Sequence, residues 1–205
     1  NLGWATVTTD PARAHELYAE SIDAYRKLGA PPPIGHALIG IAMPEMRFRD
    51  IGAAKRHLEE AATVFHAAGD ESSALIADGL SGVCLRLEGD LAAARQRYVD
   101  VLARAEAMNV HIALGLPLQA LSDLALLQGN PELAVVLDGA QAQLAERLGG
   151  TPGFEVMGIP TVAERARTEI GGERYEAAYA NGRSMPLGDV IRLARGDDTL
   201  DRPSR

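Results

Sequence analysis

The sequence has a single cysteine, few aromatic residues and no long apolar run. Cys84 alone cannot form an intramolecular disulfide or a thiolate-based zinc site. Aromatics make up 4% of the chain, so its core has to be aliphatic. No stretch of 18 or more apolar residues occurs, which leaves no candidate membrane-spanning helix. The P-loop pattern Gly-x4-Gly-Lys-Ser/Thr is missing, as is His-Glu-x-x-His. Gly79-Leu80-Ser81-Gly82 stops short of a nucleophile elbow and falls in a helical pattern, not after a strand. Positive charge is also short: the net charge is −8, which argues against direct nucleic-acid binding. The opening Asn1-Leu2-Gly3-Trp4 lacks a charged n-region and an apolar run, so it does not read as a signal peptide. It reads as a cut into a longer protein, with the cytoplasm as the expected compartment.

What is present suits helices. Of the 205 residues, 47% are apolar, and alanine supplies about a third of those. The period-two pattern of β-branched and aromatic residues that a sandwich or barrel needs is absent. A repeat of 40 residues organises the first 150. Its copies open at Asp10, Asp50, Asp90 and Asn130. Each has an alanine four residues later, at Ala14, Ala54, Ala94 and Ala134. Each closes on Gly29, Gly69, Asn109 or Gly149.

Every one of these features has a physical reason. Asp or Asn at the opening is a helix N-cap that accepts from free backbone N–H groups. Pro11 and Pro131 fit the first helical position, where an absent N–H costs nothing. Gly or Asn at the close suits the left-handed turn after a helix. The fixed alanine marks a place where two helices approach too closely for a larger side chain. Between these helices the sequence predicts others over Ile34 to Phe48, Ser73 to Glu88 and His111 to Gln128. Tight turns join them at Arg49-Asp50, Gly89-Asp90 and Gly129-Asn130, and looser loops lead into the next pair. Asn1 to Thr8 reads as the stub of one more such helix. Pro44 should kink or shorten its helix. A pair cannot bury both its faces alone, so successive pairs should stack into a solenoid.

The repeat gives way at Gly149-Gly150-Thr151-Pro152-Gly153. A loop is expected over Phe154 to Ile159, then helices over Thr161 to Ile170, Glu173 to Ala180 and Leu187 to Ala194. Asn181-Gly182 should end the second of these. Tyr175 and Tyr179, at i and i+4, share a face that can anchor a capping helix. The expected organisation is repeats over 1–150, a helical cap over 151–195, and a disordered tail or linker over 196–205.

Gly89-Asp90, Ala94, Tyr98 and Leu102, with Gly82 and Leu85 before them, resemble a tetratricopeptide repeat. Asp138 stands in place of that motif's aromatic residue, Thr9 and Arg49 in place of its turn glycine, and the period is 40 instead of 34. The longer period is similar to the sensor arms of bacterial regulators of the maltose-regulator and LuxR types. The run Glu173 to Met185 resembles a recurrent ending of such arms in predicted signal-transduction ATPases. The resemblance implies an all-α, right-handed α-α superhelix of about four helix pairs with a C-terminal helical cap. It further implies a non-catalytic sensor or interaction arm of an ATPase-linked transcriptional regulator. Its partners would be other domains of that regulator and a peptide partner or small-molecule inducer, with no cofactor and no membrane. The alternative is a free-standing scaffold that binds peptide segments of partner proteins.

The reactive side chains point to no enzyme chemistry. Cys84 has no His or Lys on its helical face and reads as core. His15, His36, His57, His66 and His111 share no metal-ligand spacing, so only tertiary convergence could build a metal site. Glu59-Glu60 and Asp70-Glu71 read as solvated helix faces, and the Arg47/Arg49 and Arg95/Arg97 patches are balanced by acids. The better candidate is a surface. Placing the tetratricopeptide groove positions on this sequence by register gives His36, Ile39, Met43 and Arg47 in one repeat. The next repeat contributes Ile76, Gly79, Val83 and Arg86, and the third Leu116, Gln119 and Asp123. These sets mix apolar and polar groups, as a peptide or small-molecule groove would.

Overall fold

The computed structural model describes residues 6, 7, 9–149 and 157–197. The expected stub before Thr9 lies largely outside them, as do the first half of the Phe154–Ile159 loop and the tail beyond Asp197. Among the described residues all regular structure is helical, and no helix is long and apolar enough to cross a membrane. The helices are α1 (Pro11–Leu28), α2 (Pro31–Arg47), α3 (Ile51–Ala68), α4 (Glu71–Glu88) and α5 (Leu91–Ala107). A short 3-10 turn at His111–Ala113 leads into α6 (Gly115–Leu127) and α7 (Pro131–Leu148). Then come α8 (Val162–Ile170), α9 (Gly172–Ser184) and α10 (Leu187–Arg195).

The chain divides into two compact units, and the division falls inside α5. The first contains residues 1–97 with 153–160, the second residues 98–152 with 161–205. In the first, α1 packs on α2, α2 on α3 and α3 on α4, an all-α sequential arrangement consistent with a helical repeat. Its core is aliphatic around Leu38, Met46, Leu58 and Leu75, with the Phe65 ring fully buried among them. In the second, α7 packs on α6 and more extensively on α9, while α8 lies against both α7 and α9.

Local chemistry explains where the helices start and stop. The carboxylates of Asp10, Asp50 and Asp90 accept from the backbone N–H groups of Arg13, Ala53 and Ala93, and the Asn130 side chain accepts from Leu133. Asp70 does the same for Ser73 and so caps α4. That acid reads in sequence as part of a solvated charge run, but its function is to start a helix. Gly29, Gly69, Gly89 and Gly149 adopt the left-handed conformation that ends their helices. Arg49 does so too, at φ 66°, in a place where glycine would be unstrained. The four repeat alanines, Ala14, Ala54, Ala94 and Ala134, are all fully buried, as close helix contacts require.

Some boundaries differ from expectation. Three prolines open α2 at Pro31, ahead of the predicted Ile34, because the first turn needs no N–H. The connections at Gly29-Ala30 and Gly69-Asp70 are two residues long, as tight as the turns within pairs. Pro44 does not shorten α2, which runs on to Arg47 and keeps Met46 fully buried. The proline forgoes only the bond that an N–H there would make to the Gly40 carbonyl, and its own carbonyl still accepts from Phe48. His111 opens a 3-10 turn, and the α-helix proper starts at Gly115, with Pro117 in its first turn. Asn181-Gly182 does not end α9, which continues to Ser184.

Candidate functional site

A groove of about 920 Å3 lies in the first unit, between α1 and α4 over the surface of α2. Its floor is Ala37, Ile39, Gly40 and Met43 of α2. Half-buried Leu17, Tyr18, Ser21 and Tyr25 of α1 form one wall, and Ser73 and Ile76 of α4 belong to the other. Glu20 and His36 are exposed on its rim. The ten steps from Pro33 to Met43 rise about 15 Å at roughly 1.5 Å each, which sets the groove's length.

Two glycines of α2 shape it. A Cβ at Gly40 would run into the ring of Tyr18, so the missing side chain lets that ring pack directly against the floor. A Cβ at Gly35 would sit 2.6 Å from Cζ of Phe65, so this ring too is seated against bare backbone. Phe65 in turn meets the His36 imidazole, with ring centroids 5.0 Å apart, and so supports it at the rim. Burial pushes the Tyr18 phenol above its ordinary range, so at neutral pH the groove holds a hydroxyl and no phenolate. Asp70 is held below the usual carboxylate range by hydrogen bonds from the Ser73 side chain and backbone, with nearby His36 adding to the effect.

The structure brings four sequence-predicted residues together here: His36, Ile39, Met43 and Ile76. The others lie elsewhere. Arg47 is exposed at the end of α2, with its Cγ 3.8 Å from the position a Cβ on Gly158 would take. Val83 is fully buried and belongs to the core, and Gly79 is buried on the same helix. Arg86 is half-buried in the last turn of α4, outside the groove lining. In the second unit, Leu116 and Gln119 are half-buried, and Asp123 is buried with an Arg165 guanidinium nitrogen 3.9 Å away. Register alone could not separate Val83 from its groove equivalents, because α4 is buried on more than one side. The α1 wall was missed. Its signal was Tyr18 and Tyr25, seven residues apart on one helical face.

A second cluster has no local sequence signature. Glu45 of α2 is 4% exposed, and its two carboxylate oxygens meet different histidines. His15 Nε2 from α1 is 3.4 Å from Oε1, and His57 Nδ1 from α3 is 2.9 Å from Oε2. The trio ties three helices together around one buried carboxylate. The imidazoles hold opposite oxygens instead of converging on one point, and among the described residues no group of three potential ligands is arranged to hold a metal ion. Close by, Lys55 pairs with Glu88 at 3.1 Å. Burial, with Glu88 and Glu45 adding, pushes the Cys84 thiol up to about 12, so it stays protonated and unreactive at neutral pH.

In the second unit, ion pairs and stacked rings fasten the helices together. Arg167 lies over the Tyr175 ring, 4.5 Å from its centroid, and pairs with Glu176. Tyr175 and Tyr179 stack at 5.8 Å, as their i and i+4 spacing predicts. Arg183 forks onto both oxygens of Glu146 at 2.7 Å and holds that carboxyl below its usual range. These contacts fasten α9 to α7 and α8. The sequence matches no protein-family model, no curated protein and no solved structure.

Proposed function

We propose that this chain is a non-catalytic recognition arm, with the groove over α2 as its binding site. The observation that supports this most directly is the meeting of His36, Ile39, Met43 and Ile76 in one apolar groove with a polar rim. Such a mix suits orientation-specific binding of an organic ligand. In this reading the helix pairs continue as a right-handed tetratricopeptide-like superhelix in a larger ATPase-linked transcriptional regulator of the LuxR or maltose-regulator type, acting in the cytoplasm. A ligand with different affinity for two arm arrangements then biases the ATPase or output domain. The helix-capping repeat of 40 residues and the Glu173–Met185 run support the choice of family.

The test is a melting-temperature screen of the intact parent protein against metabolites, alongside an Ala24→Trp variant. Ala24 is exposed on the groove wall, so a tryptophan there obstructs the groove without entering the core. At least one compound should raise the wild-type midpoint, leave the variant unmoved and alter ATP turnover. A parent protein encoding neither a P-loop ATPase nor an output domain overturns the regulator assignment.

A further inference from the structure

We infer that the groove over α2 is built for a small organic cation: an ammonium group carried on an apolar body. The inference rests on the groove being a binding site and goes on to its chemistry. Among the lining residues, Glu20 is the one carboxylate, and neither lysine nor arginine is present. Among the described residues no ion pair within 4 Å engages Glu20; Arg13, which pairs with Glu16, acts on it only at longer range. Tyr18 and Tyr25, seven residues apart, share the groove-facing side of α1, while Glu20 stands at the rim, so the rings are placed to meet the ligand's body and Glu20 its charged end. Ile39, Met43 and Ile76 supply the apolar bed for the rest of the molecule.

The same groove is disarmed against anions. Two helices begin at it, and a helix N-terminus ordinarily attracts phosphate or carboxylate through its free N–H groups. At the start of α2, however, Pro31, Pro32 and Pro33 carry no N–H at all. At the start of α4, the Asp70 carboxylate already occupies the Ser73 N–H and sets a negative charge there. The first of these places thus offers no donors, and the second carries the negative charges of Asp70 and Glu71, which repel an acid.

Size decides between a small molecule and a protein segment. The groove's 920 Å3 lies at the upper end of ligand pockets, roughly 300–1,000 Å3. Its length of about 15 Å would take only about four to five residues of extended chain, at roughly 3.3 Å each, far fewer than the roughly 20–30 residues a side of a stable protein interface.

The experiment titrates three matched probes, 4-phenylbutylammonium, 4-phenylbutanol and 4-phenylbutyrate, into the 205-residue chain by isothermal calorimetry. The ammonium should bind at least about tenfold more tightly than the carboxylate, with the alcohol between them. Glu20→Gln should compress that spread to within about threefold, and Ala24→Trp should weaken all three. Both are exposed-site changes, and circular dichroism confirms that they fold. If the probes bind alike and Ala24→Trp weakens all of them, the cation inference is overturned and the groove reading stands. If the carboxylate binds best, the inference is likewise overturned. No binding by any probe up to millimolar concentration overturns both, as does binding that Ala24→Trp leaves unchanged.

Discussion

Gly40 and Gly182 both lie inside helices and both make room for a neighbour, but the neighbours differ in kind. In the first unit, the space at Gly40 is taken by the Tyr18 ring, the movable end of a side chain. In the second, the missing Cβ of Gly182 lets α9 touch the Val136 carbonyl of α7, while Gly139 of α7 meets the Tyr179 carbonyl in return. That second contact is backbone on backbone and leaves nothing to repack. The first leaves a half-buried ring along an open groove. Glycine thus creates a recognition surface in one place and seals a helix crossing in the other.

The sharpest way to break this comparison is to fill both notches. Adding a methyl to a helical glycine gains about 1 kcal/mol in helix propensity, while overpacking costs about 1–3 kcal/mol, sometimes more. At Gly182 the overpacking term should win, because neither α7 nor α9 can yield locally. Gly182→Ala is expected to lose about 2 kcal/mol in urea denaturation. At Gly40 the Tyr18 ring can swing away, so Gly40→Ala should cost less than about 1 kcal/mol. Equal losses at the two sites would show that the ring is as fixed as the backbone.

The helix caps sharpen the comparison by pH. Asp70→Ala in the first unit and Asn130→Ala in the second should each cost about 1 kcal/mol at neutral pH. Asp70 titrates, and its folded value is depressed by the Ser73 hydrogen bonds. Its contribution is therefore complete above the unfolded value near 3.9 and fades as the pH falls through the lower folded value. Asn130 does not titrate, so its contribution should persist into acid. Thermal melts of both variants between pH 2 and 7 would separate them, and parallel curves would refute the assignment.

Cys84 and Arg49 give the two smallest tests, both in the first unit. With its thiol pushed up to about 12, Cys84 should resist a disulfide reagent at pH 8 until the chain unfolds. Rapid labelling of the native chain would mean that the helices around it open readily. Arg49→Gly should raise stability by about 0.5–1 kcal/mol by relieving the left-handed backbone. No gain in the denaturation midpoint would mean that the arginine side chain offsets the strain.

The parts of the fold legible in the sequence were those governed by the backbone within a few residues. Asp10, Asp50, Asp90 and Asn130 announce helix starts because capping is local chemistry. The buried alanines follow from their spacing. Gly182 misled because glycine normally disfavours helix, whereas here a close crossing with α7 requires it. Asp70 hid in a charge run. Part of the groove was visible, because His36, Ile39, Met43 and Ile76 follow from the repeat register. The α1 wall and the His15–Glu45–His57 trio were not, since each depends on how one helix is laid against another.

Because each 40-residue stretch carries its own starting cap, residues 50–89 form a removable cassette. Excising them joins Arg49 directly to Asp90, a capping aspartate in the place of Asp50. No helix would be left with a raw end. Splicing at these seams offers a route to shorter or longer versions of the chain in which every helix keeps its cap and only the packing faces, such as that of Glu45 on His57, need redesign.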